Sequence, residues 1–215
     1  MNKRFFAPVK SGLLLFFMFS ARTLAPAAGT EQTVQDFFDS CQHTKNKQSQ
    51  LIIGEVQAAS VLRKGQESEE LGRFRDAGDS YKKSLCYYEY PEAHFALARL
   101  YLTGQYDTSR EHFQRQQKAE HHLKQANELG YKPAGNMLQL LIDSKHQFET
   151  IMAHNGKGDD SLVLESAQNN FVQGLLDAGF IYRIRKDYEK AFDCLNVASS
   201  RNSARASLLI GTMYH

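Results

Sequence analysis

The sequence predicts an all-α fold built from a repeated pair of antiparallel helices. One arrangement of small and apolar residues recurs four times, a second arrangement accompanies it, and no stretch alternates apolar and polar residues as a strand does. The chain has 215 residues, of which 42% are hydrophobic and 23% charged. This length and composition suit one globular domain or a short array of repeats.

The first arrangement places residues at offsets 0, 4, 5 and 8, which lie along one side of a helix. Its four copies are Ala93, Leu97, Ala98 and Tyr101; Ala134, Leu138, Gln139 and Ile142; Gly174, Ala178, Gly179 and Tyr182; and Ala206, Ile210, Gly211 and Tyr214. Small residues at offsets 0 and 5 allow close approach of a second helix, and the other two positions fill the space between helices. We call this helix A and these positions its seam.

The second arrangement has offsets 0, 4 and 7 and defines helix B. Its copies are Ala119, Leu123 and Ala126; Ala191, Leu195 and Ala198; Ala77, Tyr81 and Ser84; and, more loosely, Asp160, Leu164 and Ala167. The first two of these copies each precede the next helix A by 15 residues. The repeating unit is therefore one helix A followed by one helix B.

Turn and capping residues agree with these units. Gly104 is expected to end a helix A in the left-handed conformation, and Thr108 with Glu111 forms a capping box for the helix B that follows. That helix B is expected to end at Gly130, before Pro133.

The later units carry similar signals. Asp187 is expected to be the N-cap of a helix B, and Asn202 takes the place that Gly130 has in the earlier unit. The segment 154–160 lacks phosphate-loop spacing and predicts a flexible loop that ends in an Asp160 cap.

Two stretches resemble whole units of the Sel1-like subclass of tetratricopeptide repeats: "AHFALARLYLTG" with "KAEHHLKQANELGYKPA", and "LLDAGFIY" with "YEKAFDCLNVASSRNSARA". The resemblance covers residues 59–215 and implies a right-handed α-solenoid of antiparallel helix pairs. The chain departs from the family at Ala98, where the family prefers glycine, at residues 105–114, which form an insertion, and in the second unit, which lacks the tyrosine and the turn glycines.

The resemblance also divides the chain. Residues 28–66 are expected to be an N-terminal helical cap, because a repeat array needs one to cover its apolar end. Residues 67–215 are expected to hold about three units plus a terminal helix A. That last helix is either the C-terminal cap or the mark of a shortened array, and we favour the shortened array.

Residues 1–27 have the pattern of a cleaved secretory signal peptide. Basic residues precede an apolar run over residues 13–21, and the small-residue site Ala25-Pro26-Ala27 follows. The run is shorter than the roughly 20 residues that a membrane-spanning helix needs. We therefore expect export to the periplasm or beyond the cell, with cleavage near Ala27.

Removal of this leader changes the charge of the chain. It takes away Lys3, Arg4, Lys10 and Arg22 and no acidic residue, so the formal net charge falls from +2 to −2. A mildly acidic chain has no long-range field that attracts nucleic-acid phosphates. The expected partners therefore exclude nucleic acid, and the processed chain is not expected to span a membrane.

Few residue patterns in the sequence indicate a catalytic or metal-binding site. Cys41, Cys86 and Cys194 permit at most one internal disulfide, with one thiol left over. Their spacing fits neither a metal site nor a disulfide framework, so of the two arrangements we expect three buried thiols. His121 and His122 are adjacent and point about 100° apart on a helix, which favours polar positions on the exposed side of helix B over metal ligands. The sequence contains no nucleophile elbow. It predicts no catalytic residue, no metal and no cofactor.

If the groove geometry is that of the tetratricopeptide family, the outward positions of each helix A line a concave face. Carried onto this chain, they are Glu92, Phe95, Arg99 and Leu102; Asn136, Leu140 and Asp143; Gln173, Leu176, Phe180 and Arg183; and Arg205 and Thr212. Charged and apolar residues alternate there, which suits an extended peptide or a partner helix.

The leading functional hypothesis is an exported scaffold or adaptor that binds a protein or peptide on this face. Two alternatives stay open. One is a β-lactam- or peptidoglycan-directed enzyme, as attributed to the cysteine-rich Sel1-like branch, although that branch has two cysteines in each repeat. The other is an inactive, truncated repeat protein.

Overall fold

The computed structural model describes residues 48–106 and 112–213. Several predicted features lie outside the described residues: the signal peptide, residues 28–47 of the cap, the capping pair Thr108 and Glu111, and Tyr214. The sequence predicts a boundary between the cap, residues 28–66, and the repeat array, residues 67–215. The first described helix runs across that boundary without a break.

The described residues form helices and no strands, so the all-α prediction is confirmed for this part of the chain. The helices are α1 (Gln48–Glu70), α2 (Phe74–Tyr87), α3 (Pro91–Leu102), α4 (His112–Glu128), α5 (Lys132–Ala153), α6 (Ser161–Gln168), α7 (Val172–Ile184), α8 (Tyr188–Ser200) and α9 (Ala204–Gly211). The copies of helix A are α3, α5, α7 and α9, and the intervening copies of helix B are α4, α6 and α8.

Each helix packs against the helices that precede and follow it in the chain. The tightest pairs are α1 with α2, α3 with α4, and α7 with α8, and α5 also contacts α7. Within the described residues the fold is therefore a series of helical hairpins with a repeat-like order.

The predicted seams lie between these helices. Their fully buried members include Ala77, Ser84, Ala93, Leu97, Ala98, Ala119, Leu123, Ala126, Ala134, Ala178, Ala191, Leu195, Ala198 and Ala206. A Cβ atom added to Gly179 would lie 2.7 Å from Cγ of Leu195, and one added to Gly174 would lie 2.6 Å from the carbonyl carbon of Ser166. Small residues are thus required because the neighbouring helix leaves no room for larger ones.

The weaker copies depart from the pattern. Gln139 and Ile142 of the second unit are exposed, and so is Gly211 of the last unit. At these three positions the predicted seam is wrong, because no described helix packs over them closely enough to exclude water.

Helix ends agree with the sequence signals. Gly104, Gly130 and Asn202 have φ values of 68°, 85° and 61°, so each ends its helix in the left-handed conformation as expected. Asp187 is the N-cap of α8 and accepts a hydrogen bond from the backbone N–H of Lys190 at 3.4 Å. Its carboxylate also pairs with Nζ of the same lysine at 2.8 Å.

The second unit differs from the others in its proportions. Helix α5 has 22 residues, whereas α3 has 12, and α6 has only 8. The additional residues 144–153 carry α5 beyond the repeat template before the chain turns at Asn155 and Gly156, which both have positive φ. The 154–160 loop then leads into α6.

Arg185, at the end of α7, holds this loop in place. Its Nε donates to the carbonyl oxygen of Gly156 at 2.8 Å, one Nη donates to that of Gly158 at 3.1 Å, and the other pairs with the Asp160 carboxylate. Charge-assisted hydrogen bonds of this kind are stronger than neutral ones. The loop predicted to be flexible is therefore held at three points.

The start of α6 is capped differently from the prediction. Asp160 occupies the N-cap position but makes no capping hydrogen bond, because its carboxylate faces Arg185. Gln147 of α5 instead accepts from the backbone N–H groups of Leu162 at 2.9 Å and Val163 at 3.1 Å. A side chain from the preceding helix thus satisfies donors that an N-cap residue would normally satisfy.

One contact joins units that are not neighbours. Arg115 of α4 donates to the carbonyl oxygen of Arg201 at 3.0 Å, and Arg201 donates to the carbonyl oxygen of Thr103 at 3.2 Å. Gly104 lies against the same site, since an added Cβ would be 3.1 Å from the Arg201 carbonyl oxygen. The first unit therefore touches the third, whereas repeats in an ordinary solenoid contact only their neighbours.

The seam geometry predicts opposite outcomes for two Gly→Ala changes. Gly174→Ala should lower the free energy of unfolding by about 1–3 kcal/mol, because the methyl group would meet the backbone of α6. Gly211→Ala has nothing within 4 Å of the added carbon and should be neutral or stabilising by up to about 1 kcal/mol. Urea unfolding followed by circular dichroism measures both. Equal effects of the two changes would contradict the predicted close approach.

Candidate functional site

The predicted concave-face residues of α3 divide into accessible and inaccessible positions. Glu92 and Arg99 are exposed and Phe95 is half-buried. Leu102 is only 5% exposed and lines a small cavity of about 20 Å³ together with Leu141 and other core residues. Leu102 therefore belongs to the interior and is not available to a partner.

Arg99 is engaged within the chain. Its guanidinium pairs with the carboxylate of Glu69 on α1, which also accepts a hydrogen bond from the Tyr81 hydroxyl of α2 at 2.7 Å. Burial and this hydrogen bond raise the pKa of Tyr81 well above its usual value, so the phenol stays protonated as a donor. The three side chains thus join α1, α2 and α3.

Aromatic contacts extend from α3 to the next unit. The Phe95 ring lies 5.2 Å from the Tyr131 ring, measured between centroids. On α5, Asn136 is exposed, and Leu140, one turn further along the helix, is half-buried. This part of the predicted face therefore offers a polar residue flanked by partly covered apolar ones.

The predicted residues of α7 and α9 form a second set. Arg183 donates to Oγ1 of Thr212 at 3.1 Å, and its guanidinium lies 4.9 Å from the centre of the Phe180 ring. Phe180 also makes an edge contact with Phe148 of α5, with centroids 6.5 Å apart. Phe180 and Arg183 are both half-buried, so part of each remains open to a partner.

The first turns of α7 are more enclosed. Leu176 is 2% exposed and therefore lies in the core. Gln173 donates to the buried carboxyl group of Asp177 at 2.7 Å. Burial raises the pKa of Asp177 to about 7, opposed by this hydrogen bond and by nearby Arg205, which is itself exposed.

Asp143, the last predicted residue of the second unit, lies in a cleft that the sequence did not predict. The cleft has a volume of about 380 Å³ and is formed by the second half of α5, the 154–160 loop and the start of α6. Its lining residues are Asp143, His146, Gln147, Thr150, Ile151, Gly158, Asp159 and Leu162. The only sequence signal for it is the absence of a helix stop between Asp143 and Asn155.

Hydrogen bonds fix both carboxylates of the cleft. Asp143 accepts from Nε2 of Gln139, one turn earlier on α5, at 2.8 Å. Asp159 accepts from the backbone N–H of Ser161 at 3.1 Å and from its hydroxyl at 3.0 Å. Asp159 also accepts from Nε2 of Gln147 on α5 at 3.4 Å, so its position depends on the contact between the loop and that helix.

Two histidines lie buried between α3 and α4, which corrects the prediction that His122 is an exposed polar residue. His94 is 1% exposed and His122 is 5% exposed, and their Nδ1 atoms are 2.9 Å apart. The ring of Tyr101 stacks on His122 with centroids 6.0 Å apart. Since one imidazole donates and the other accepts, the pair is held by a direct hydrogen bond in the neutral state.

Burial lowers the pKa of both imidazoles. The pKa of His94 falls to about 4, and that of His122 falls well below its usual value, with nearby His94, His121, Lys82 and Lys118 adding to the effect. Both rings are consequently neutral at pH 7.

The expectation of three thiols is wrong. Cys86 is disulfide-bonded, and its partner lies outside the described residues. Cys194 is free and half-buried, and burial raises the pKa of its thiol. A raised pKa disfavours the reactive thiolate, so Cys194 has the character of a packing residue.

Two further results concern the described residues alone. No helix among them is long and apolar enough to cross a membrane. No three of their His, Cys, Asp and Glu side chains come together as a metal site.

Comparisons with protein-family models, with curated proteins and with solved structures find no match. The Sel1-like resemblance therefore stays a prediction from the residues that carry it.

The His94–His122 pair predicts a specific pH dependence of stability. In the unfolded chain a histidine has a pKa of about 6.5, so as the pH falls the unfolded state takes up protons before the folded state does. The contribution of His94 to stability is complete above pH 6.5 and falls by about 3 kcal/mol as the pH approaches 4. Urea unfolding of the parent chain and of a variant without the pair, at a series of pH values, isolates this contribution.

A variant comparison isolates this effect. Asp177, whose pKa is raised, contributes with the opposite sign in the same pH range, because its folded carboxyl group keeps its proton longer. The double change His94→Phe with His122→Phe leaves Asp177 in place, so the free energy of unfolding of this variant should rise by about 3 kcal/mol relative to the parent between pH 7 and pH 4. His146→Gln, on the surface, should keep a constant difference from the parent over this range. A constant difference for the double variant as well would exclude the pair as a source of the pH dependence.

The disulfide predicts the number of reactive thiols. Denatured protein without reductant should take up one iodoacetamide label, because Cys194 is free and Cys86 is paired. After reduction it should take up three, one for each cysteine of the chain. Intact mass spectrometry counts the labels, and the protein should come from an oxidising compartment. Three labels before reduction would show that no disulfide forms.

Proposed function

We propose that this chain is an exported scaffold that binds a protein or peptide partner on the concave face of a right-handed α-solenoid of Sel1/TPR-like units. The observation that supports it most is the burial of the helix A and helix B seams at equivalent positions of the first and third units. A repeat of this kind buries its seam and leaves the positions between seam residues for contact. Repeat arrays commonly use such surfaces to hold partners.

Among the accessible residues of the predicted face, one set lies near its C-terminal end. Arg183 contacts both Phe180 and Thr212, and Arg205 is exposed on the last described helix A. An aromatic ring under a guanidinium offers apolar area and charge at the same point, a combination enriched at the energetic centres of interfaces. This set is the best candidate for partner contact.

Two features support export as part of the proposal. The basic, apolar and small-residue segments over residues 1–27 have the order of a signal peptide. The disulfide at Cys86 suits an oxidising compartment, since such bonds are rare in the cytosol. The two features are independent, because one concerns the leader and the other the folded chain.

Charge-changing variants on this face should reduce partner binding. The double change Phe180→Ala with Arg183→Glu removes the aromatic surface and reverses the charge, and should weaken binding by about tenfold or more. Affinity capture from envelope and secreted fractions identifies partners of the parent chain, and the variant is then tested against those partners.

The matched control is Lys124→Glu, which reverses an exposed charge on a helix B. It should retain the partners, and both variants should keep the helical circular dichroism of the parent. Arg99→Glu is not a clean test, because it would place a carboxylate against Glu69 and destabilise the chain. Capture of every parent partner by the Phe180/Arg183 variant would show that this face is not the binding surface.

A further inference from the structure

The cleft beside α5 has the size of a ligand-binding site. Its volume of about 380 Å³ falls within the range of about 300–1,000 Å³ that is usual for such sites. It lies in the part of the second unit that departs from the repeat template, where α5 continues past Asp143 and the 154–160 loop follows. Asp143 also belongs to the set predicted for the concave face, so the cleft adjoins that face.

The lining combines apolar and acidic groups. Leu162, which is half-buried, supplies apolar surface beside the buried Ile151, while Asp143 and Asp159 supply two carboxylates. The lining includes neither lysine nor arginine, and neither aspartate forms an ion pair with any described residue. The cleft therefore presents negative charge that the described part of the chain does not neutralise.

Hydrogen bonds and an ion pair hold the walls of the cleft in place. Arg185 holds the 154–160 loop through Gly156, Gly158 and Asp160. Gln147 joins α5 to the start of α6 through two backbone N–H groups. A preformed site avoids the ordering cost that a mobile loop would impose on binding.

A basic side chain complements this lining. The methylene groups of an arginine or lysine can lie along apolar surface while the charged end reaches carboxylates. Arginine fits better than lysine, because its planar guanidinium carries five N–H donors and can engage two acceptors at once.

We propose that the cleft receives the arginine side chain of an extended segment of the protein partner. This inference rests on the proposed function. It makes that function more specific, because it predicts that the partner segment carries a basic residue at the point where the segment passes α5. The complementarity is between an arginine with its apolar stem and the two unneutralised carboxylates above Ile151 and Leu162.

A peptide pair tests the charge requirement on the full-length chain. The probe is a nine-residue peptide with one central arginine among glycines and alanines, and its partner carries citrulline, which keeps the shape but has no charge. Amide NMR spectra should show saturable shifts at residues 143–151 and 158–162 with the arginine peptide. Binding of the citrulline peptide should be at least about fivefold weaker, which corresponds to about 1 kcal/mol.

Variants test the carboxylates. Asp143→Asn keeps an acceptor oxygen for its hydrogen bond with Gln139. Asp159→Asn keeps only one of the two oxygens that accept from Ser161 and Gln147. Both changes remove the charge, and each should weaken binding of the arginine peptide about fivefold.

Asp193→Asn changes an exposed acidic residue on α8 and should leave binding unchanged. If Asp159→Asn disturbs the loop, Asp143→Asn alone decides, because Asp143 lies on the helix itself. Amide spectra outside the cleft check that each variant is folded.

Several outcomes would overturn the inference. The first two are equal binding of the arginine and citrulline peptides, and amide shifts confined to other surfaces. The others are unchanged binding of the arginine peptide by both Asn variants, and amide shifts with calcium chloride but none with the arginine peptide. Equal shifts with arginine amide alone would show that a small cation, not a protein segment, is the occupant.

The outcomes also separate this inference from the proposed function. Suppose the two Asn variants retain every captured partner and the Phe180/Arg183 variant loses them. The chain is then a partner-binding scaffold, and the cleft inference fails. If the Phe180/Arg183 variant retains every partner, the proposed face fails whatever the peptides show.

Discussion

The close approach of neighbouring helices is the constraint on which the rest of this structure depends. Where Gly174 meets the backbone of α6 and Gly179 meets Leu195, a single added carbon would overlap its neighbour. Alanines serve the same purpose at Ala93 and Ala98. Because the seams take only small residues at these places, neighbouring helices pack closely enough to bury Leu176 and Asp177 as well. The candidate contacts of α7 are therefore confined to its half-buried residues Phe180 and Arg183.

The second unit shows what happens where the constraint is relaxed. Its seam is exposed at Gln139 and Ile142, α5 runs on to 22 residues, and α6 shortens to 8. The chain then needs other means to hold the connection, and Arg185 and Gln147 supply them. The cleft lies where these polar contacts take the place of seam packing.

Sequence predicted those parts of the fold that depend on local chemistry. Left-handed helix ends at Gly104, Gly130 and Asn202 follow from backbone sterics, and seam positions follow from helical period. The burial of His122 was also within reach, since it lies on the Ala119 and Leu123 side of α4. The disulfide at Cys86 and the Arg99–Glu69 ion pair could not be predicted, because each joins residues that are distant in sequence. Asn155 and Gly156 mark the point where α5 stops, but the cleft also depends on how the 154–160 loop is held by Arg185, which is distant in sequence.

The contact between Arg115, Arg201 and Thr103 has a consequence for how the chain folds and unfolds. An array in which only neighbours touch behaves as a one-dimensional series, so its ends can fray while its middle stays folded. Here residues 86 and 98 positions apart are joined, which ties the end of α8 to the first unit. Loss of the terminal hairpin therefore removes contacts from the beginning of the described array as well. Unfolding becomes more cooperative, and the long loops that must close before this contact forms slow the folding of the chain.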